Sequence, residues 1–335
     1  MSEQGLIKTE YLHPGRTLPL VVQPAVDGLN LVAWAASNRE FIETHLLRYG
    51  GILFRNFNGQ SIAEFEQFTR TISGDLLEYT YRSTPRTRVE GRIYTSTEYP
   101  ADQAIPLHNE NAYTSTWPMK IWFFSVAVAQ KGGETPIADS RKVFARIDPA
   151  IRKRFGEKKV MYVRNYHTGL DLSWQDVFQT EDRTAVEEFC RHNGIQCAWK
   201  ADGSLRTRQI CHAVAAHPKS GEMVWFNQAH LFHISSLRPQ VREVLLATFR
   251  EDDLPRNSYY GDGSPIEDSV LDEIRNAYEQ ESIAFPWHRG DILMLDNMLV
   301  AHGRRPFMGP RSVAVAMAEP LQSGDTEACA YGEPT

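Results

Sequence analysis

The chain has little of what marks a secreted, membrane-embedded or nucleic-acid-binding protein. It carries four cysteines in 335 residues, Cys190, Cys197, Cys211 and Cys329, and no Cys-x-x-Cys pair. That is too few to staple a scaffold, so they read as reduced thiols. A zinc site from Cys190, His192, Cys197 and His212 has spacings that fit no standard structural pattern. No apolar run reaches the roughly 18 residues of a membrane span, and Met1 to Gly15 lacks the basic and apolar regions of a signal peptide. A soluble, cytoplasmic protein without a membrane partner is expected. A basic surplus is also missing: 36 Lys plus Arg stand against 42 Asp plus Glu, for a net charge of −6. Phosphate backbones need clustered positive charge, so nucleic acid is not the expected partner. No repeat with a period of roughly 20 to 50 residues is visible, which excludes solenoids and propellers.

What is present is the material for a large core, with 42% hydrophobic and 11% aromatic residues. Asn30 to Tyr49 has helical apolar spacing and ends at Gly50-Gly51, and Ser61 with Glu64 forms a capping-box pattern ahead of a helix to Ile72. A short strand is expected at Ile52 to Phe57. After Gly74 the pattern turns to strands, at about Arg92 to Thr95, Met119 to Ala129, Glu134 to Ala138 and Val160 to Tyr166. Met119 to Ala129 is almost wholly apolar, as suits a strand buried on both faces. Helices are expected at Asp139 to Phe155, Glu181 to His192, Pro239 to Arg250 and Ser269 to Gln280. Strands resume at Arg206 to Ala216 and Glu222 to Asn227, and again at Ile283 to Trp287, Asp291 to Asp296, Leu299 to Ala301 and Ser312 to Ala318. The pattern predicts a mainly β fold with α decorations. Its core is a double-stranded β-helix, or jelly roll, over about 50–138 and 205–320. N-terminal helices precede it and a largely helical insertion fills about 139–204, all in one domain.

The chemistry starts at Leu107-His108-Asn109-Glu110-Asn111. On extended backbone, residues i and i+2 project to one side, so the imidazole of His108 and the carboxylate of Glu110 converge. Alone this is weak, because His-x-Glu is common in surface ion pairs. A second histidine, His302, closes the strand in Asp296-Asn297-Met298-Leu299-Val300-Ala301-His302-Gly303. Two histidines and one carboxylate make the facial triad of non-haem Fe(II), which leaves metal positions open for co-substrate and dioxygen. Arg311 follows the Met308-Gly309-Pro310 turn. If its strand pairs with that of His302, its planar fork can hold a carboxylate. Arg304 and Arg305 sit in the turn and are expected to be solvated.

Together these motifs resemble the Fe(II)- and 2-oxoglutarate-dependent dioxygenases of the taurine dioxygenase type, and in particular the clavaminate synthase-like branch with its amino-acid hydroxylases of nonribosomal peptide pathways. The resemblance rests on Leu107-His108-Asn109-Glu110, Lys131-Gly132-Gly133-Glu134-Thr135-Pro136, Val224-Trp225-Phe226-Asn227-Gln228, Asp296-Asn297 and His302-Gly303-Arg304-Arg305-Pro306-Phe307 through Gly309-Pro310-Arg311, and spans about Gly50 to Pro320. It implies that His108, Glu110 and His302 are the iron ligands and catalytic centre. It implies further that Arg311 and Thr135 hold the distal carboxylate of 2-oxoglutarate. Glu110 stands where taurine dioxygenase has aspartate, as in the clavaminate synthase-like branch. Its presence counts against halogenation, for which family members lack the carboxylate.

The implied activity is oxidation of a small amino-acid-like substrate, free or carried on a peptidyl carrier protein, with dioxygen as co-substrate. Hydroxylation of an unactivated carbon in specialised metabolism leads, ahead of desaturation, cyclisation or oxidation of another small acid such as a sulfonate. A non-catalytic metal-binding β-barrel is the reading from a different class, and the open triad together with Arg311 argues against it. Asn111, Tyr113, Arg208 and Asn227 are the substrate-pocket candidates. His212, His217, His230 and His233 read as core or surface histidines. Tyr259 to Ser264 is expected to close over substrate, and the segment from about Asp139 to Asn193 offers a face for a carrier.

Overall fold

The strand Thr116–Ala127 shows where the core must lie. Every residue from Trp117 to Ser125 is buried, and the two-residue period of a strand sorts them onto two faces. Ile121 and Phe123 join Leu53, Leu293, Val313 and Val315 in an inner cluster with Phe226, Phe285, Trp287 and Val300. Trp122 and Phe124 join Ile52, Phe54, Met294 and Ala314 in an outer cluster closed by Leu31, Trp34, Ile42, Phe65 and Phe68 from helices. A sheet covered on both sides explains the continuous apolar run.

The computed structural model describes residues 5–58, 61–79, 81, 86–97, 99–166 and 171–325. Cys329 lies outside them. The large sheet has eight strands in the order Ile7–His13, Arg16–Pro24, Gly51–Phe54, Ile292–Asp296, Thr116–Ala127, Ser312–Gln322, Ile93–Thr95 and Arg88–Glu90. Its neighbours are antiparallel except Arg16–Pro24 with Gly51–Phe54. The second sheet has three strands, Ile105–His108, Val300–Arg304 and Ile137–Asp139, with Val300–Arg304 in the centre. These sheets form the jelly-roll core without closing into a barrel. A further sheet, ordered Gln196–Trp199, Leu205–Cys211, Val160–Tyr166 and Arg256–Tyr260, packs with several helices into a third apolar cluster.

Most sequence expectations have counterparts. Asn30 to Tyr49 becomes the helices Leu31–Ser37 and Arg39–Tyr49, and Gly50 ends the second with φ 79°. A Cβ at Gly50 would lie 2.5 Å from Val300 Cγ2, so both conformation and space require glycine there. Ser61 caps Ile62–Ser73 in the expected reciprocal capping box. Three expectations differ. Residues 283 to 287 form no strand beyond an isolated bridge from Ile283 to Ile137, because Pro286 has no N–H to donate. Tyr259 and Tyr260 end a strand paired with Met161 and Val160, and the turn after it is tied by Asp262 to Lys158, so this segment is fixed in a sheet and not a lid. Residues 139–204 carry helices but also the strands Val160–Tyr166 and Gln196–Trp199, which pair with Leu205–Cys211. The expected boundary near 205 therefore cuts through one sheet. The N-terminal strand Ile7–His13 gave no sequence signal because, as an edge strand, it is mostly exposed.

His217, His230 and His233 are buried. Nε2–H of His230 donates to the Leu107 carbonyl at 2.9 Å, which braces the strand that ends in His108. Burial pushes His230 down to a pKa of about 3 and His233 to about 4, although Asp268 opposes the shift at His233. Below the ordinary histidine pKa of about 6.5, the unfolded chain takes up protons that the folded chain refuses. Stability from these two sites is therefore whole at neutral pH and falls as pH drops toward 4, with a slope of up to about 2.7 kcal/mol per pH unit. Denaturant unfolding between pH 7 and 4.5 will show at least this slope, and His230→Gln, which keeps a donor for Leu107, will lower it by up to about 1.4 kcal/mol per pH unit.

Candidate active site

Antiparallel register places His302 directly opposite His108, and directly opposed residues share a face. Their rings lie 4.6 Å apart. Just past the strand, Asn111 adopts φ 56°, a left-handed conformation that asparagine tolerates, and turns the chain away behind Glu110. Among the described residues, His108, Glu110 and His302 form the one group of metal-ligating side chains whose donor atoms converge, all within 4.8 Å of one another. His302 Nε2 is 3.7 Å from Glu110 Oε2.

This donor set fits a divalent first-row metal. Bonds of about 2.1 Å at right angles hold neighbouring donors roughly 3 Å apart, so small shifts would complete the site. Nδ1–H of His108 donates to the Pro106 carbonyl at 2.8 Å, which leaves the lone pair on Nε2. Burial, aided by His302, pushes the pKa of His108 down to about 4, so the ring is neutral and able to ligate at physiological pH. Burial would raise the carboxyl of Glu110, but Arg86 and His302 outweigh it and hold the group below the usual carboxylate range.

The backbone of Asn109 and Glu110 is clamped from below. The Asn297 side chain accepts from Glu110 N at 2.7 Å and donates to the carbonyls of Glu110 at 2.9 Å and Pro118 at 2.8 Å. Asn109 Nδ2 donates to the Asn297 carbonyl at 2.7 Å, and Gln228 Nε2 donates to the Asn109 carbonyl at 2.7 Å. Asp296 accepts from the amides of Met298 and Leu299 and from His217 Nε2. Both asparagines are fully buried.

A cleft opens beside the triad, lined by both histidines, Arg86, Ser96, Phe123, Thr135, Arg304 and Arg311. Arg311 Nε donates to the Gly133 carbonyl at 2.8 Å, and its Nη atoms lie 3.4 Å from Ser96 Oγ and 3.5 Å from Thr135 Oγ1. Trp287 Nε1 donates to the same threonine at 3.2 Å. A Cβ on Gly133 would stand 2.9 Å from Arg311 Cδ, which gives the Gly132-Gly133 pair its physical reason. Burial and the nearby Arg304 lower Arg311 to a pKa of about 10, against the pull of Glu134, so it stays charged near neutrality. Among the described residues no carboxylate pairs with it.

The chain matches the family described as taurine catabolism dioxygenase TauD, TfdA over residues 9–317. It belongs to that family. It is 43% identical to the dapdiamide synthesis protein DdaC of Enterobacter agglomerans, over 90% of this chain and 94% of that one. It is 30% identical to a clavaminate synthase-like protein of Arabidopsis thaliana, over 95% of this chain and all of the other. The fold is similar to that of the PvcB protein from Pseudomonas aeruginosa, with a TM-score of 0.57 at 13% identity over 95% and 94% of the two chains. As a TauD-family member the protein is an Fe(II)- and 2-oxoglutarate-dependent oxygenase. No described helix is long and apolar enough to cross a membrane.

The motifs that carry His108, Thr135, His302 and Arg311 thus meet at one cleft, but the substrate candidates scatter. Arg208 is exposed on the strand Leu205–Cys211, because its neighbours Thr207 and Gln209 take the buried face; it does not line the cleft. Asn227 is buried, but both ends of its amide are engaged, with the Ala213 carbonyl at 2.8 Å and the Ala229 amide at 3.0 Å. It shapes the chain ahead of the helix Ala229–Phe232. Asn111 makes the turn after Glu110, and Tyr113 is buried with its hydroxyl 3.3 Å from the Tyr81 carbonyl. Arg304 is buried, contrary to expectation, and its Nη atoms donate to the carbonyls of Tyr99, Pro100 and Gln103 at 2.6 to 2.9 Å. Sequence reasoning missed Arg86, which donates to Glu110 Oε2 at 2.7 Å. It has no motif around it, and only tertiary packing brings it to the triad. Replacing Asn297 with alanine will leave the Glu110 amide and two carbonyls buried and unpaired, and will lower unfolding free energy by at least about 3 kcal/mol in denaturant titrations.

Proposed function

We propose that this oxygenase hydroxylates an unactivated carbon of an amino acid or amino-acid-derived acid, free or bound to a carrier protein, in the biosynthesis of a specialised metabolite. The observation that carries the reading is the convergence of His108, Glu110 and His302 beside the cleft that also holds Arg311. In this reading the two histidines bind iron through Nε2 and Glu110 binds it through a carboxylate oxygen, which leaves three positions open. Arg311 receives the distal carboxylate of 2-oxoglutarate, and Thr135 adds a hydrogen bond. Iron, with 2-oxoglutarate and dioxygen, supplies the oxidation and releases succinate and carbon dioxide. The protein's share is placement: a neutral His108 ready to ligate, a carboxylate held ionised, a charged arginine and a cleft with the Phe123 ring 4.8 Å from the His302 ring. The amino-acid side of the proposal is supported by the 43% identity to a dapdiamide synthesis protein.

The test is anaerobic assembly with Fe(II) and 2-oxoglutarate, then oxygen exposure with free amino acids and with their carrier-bound thioesters, following succinate and product mass. Succinate coupled to a gain of one oxygen is expected. Loss of two hydrogens would replace hydroxylation with desaturation or ring closure, and succinate at the uncoupled background for every amino-acid substrate would overturn the substrate class. Two variants check the assignments. His108→Ala will fold but lose the weak visible band of the anaerobic Fe(II) and 2-oxoglutarate complex. Arg311→Gln will weaken 2-oxoglutarate binding by at least about thirtyfold, the lower bound for removing one partner of a buried charge pair, and leave Fe(II) affinity nearly unchanged.

A further inference from the structure

Arg86 enters the cleft immediately ahead of the strand Arg88–Glu90, and its side chain is only 3% exposed. The guanidinium lies 4.5 Å from the centre of the Tyr79 ring. Nη2 donates to Glu110 Oε2 at 2.7 Å, while Nε and Nη1 are buried with no hydrogen-bond partner among the described residues. A guanidinium cannot shed its charge, and burying its donors without acceptors is unfavourable. Unmet donors on a residue that lines the cleft beside the triad indicate an acceptor that arrives with a ligand.

Charge narrows what that ligand is. With 2-oxoglutarate in place, a divalent metal together with Arg86 and Arg311 outweighs Glu110 and the two co-substrate carboxylates, so the cleft stays positive, and Arg304 adds to the excess. Both carboxylates of 2-oxoglutarate already have partners, one at the metal and one at Arg311. We propose that Arg86 recognises the primary substrate, receiving a substrate carboxylate on one of its two unmet donors, Nε–H or Nη1–H, while Nη2 keeps Glu110 in place. This rests on the assignment of the triad and Arg311 given above. The substrate then keeps a free carboxylate in the cleft, and one delivered as a thioester carries it elsewhere than on the esterified carbon.

The test uses full-length protein labelled with [15N]arginine and loaded with Zn(II) and 2-oxoglutarate, which is diamagnetic and inert to oxygen. The Nε–H resonance of Arg86 is identified by its absence from R86K or R86Q. Propionate is the probe and propionamide its neutral counterpart. A saturable shift with propionate, a much smaller one with propionamide, and a loss of propionate affinity of at least about tenfold in R86Q are expected. No shift with propionate overturns the proposal, as does an equal response to propionamide. A shift on adding 2-oxoglutarate that then blocks propionate gives Arg86 to the co-substrate and also overturns it. The Nε–H of Arg311 reports the co-substrate assignment separately in the same spectra: its silence toward 2-oxoglutarate with Arg86 still answering propionate would sink that assignment alone.

Discussion

The site depends on the clamp between Asn297 and the backbone of Glu110. A carboxylate can share a metal with two histidines only if its main chain is held to a fraction of an ångström, and the loop after His108 has no strand partner to hold it there. Asn297 supplies the missing ladder with one side chain, satisfying both the amide and the carbonyl of Glu110. Asn109 returns the contact by donating to the Asn297 carbonyl. The reciprocal pair joins the turn that carries Glu110 to the corner between Ile292–Asp296 and Val300–Arg304, and the second of those strands carries His302. All three triad residues are thereby referred to one corner. Because both asparagines are fully buried, the pair is also a stability element, and fold and metal geometry cannot be separated there.

Around that corner the buried charges are arranged so that each has a partner or awaits one. Glu110 stays ionised against burial because Arg86 and the histidines face it. Arg304 spends its Nη donors on three loop carbonyls and so fixes the rim of the cleft. Among the described residues, Arg311 is met by neutral oxygens, those of Gly133, Ser96 and Thr135. A carboxylate ligand improves on such partners by replacing dipoles with a full charge, and that difference is what gives a buried arginine affinity for an anion. Phe123 and the apolar inner face of the large sheet keep the dielectric low, so these preferences are not diluted by water.

The fold was legible wherever one element's own pattern decided it. The apolar strand at Thr116–Ala127, the capped helix at Ile62–Ser73 and the glycine stop at Gly50 are local events, and local sequence encodes them. The triad was legible because Glu110 follows only two residues after His108, which ends a strand, and the C-terminal motif supplies His302. Arg208 misled because a strand arginine has the same sequence signature whether it faces solvent or a pocket, and only pairing with Val163 reveals its face. Asn227 misled for the opposite reason: its burial was right, but its amide is used up by neighbouring backbone. Arg86 was invisible because its partner, Glu110, is brought near by the fold and by no spacing in the chain.

This difference in legibility follows the division of labour in the molecule. The residues proposed to hold iron and co-substrate sit on paired strands or are tied to them: His108 opposite His302, and Arg311 beside the strand Ser312–Gln322, hydrogen-bonded to Gly133. Sheet pairing gives such groups fixed separations, as chemistry common to every turnover requires. Arg86 instead reaches the cleft from the connection ahead of an exposed edge strand, where sequence can change without disturbing the core. A family that keeps its oxidation chemistry and varies its substrate is best served by that separation. In this chain the strand-borne groups therefore report the reaction class, and the groups arriving from connections report what is oxidised.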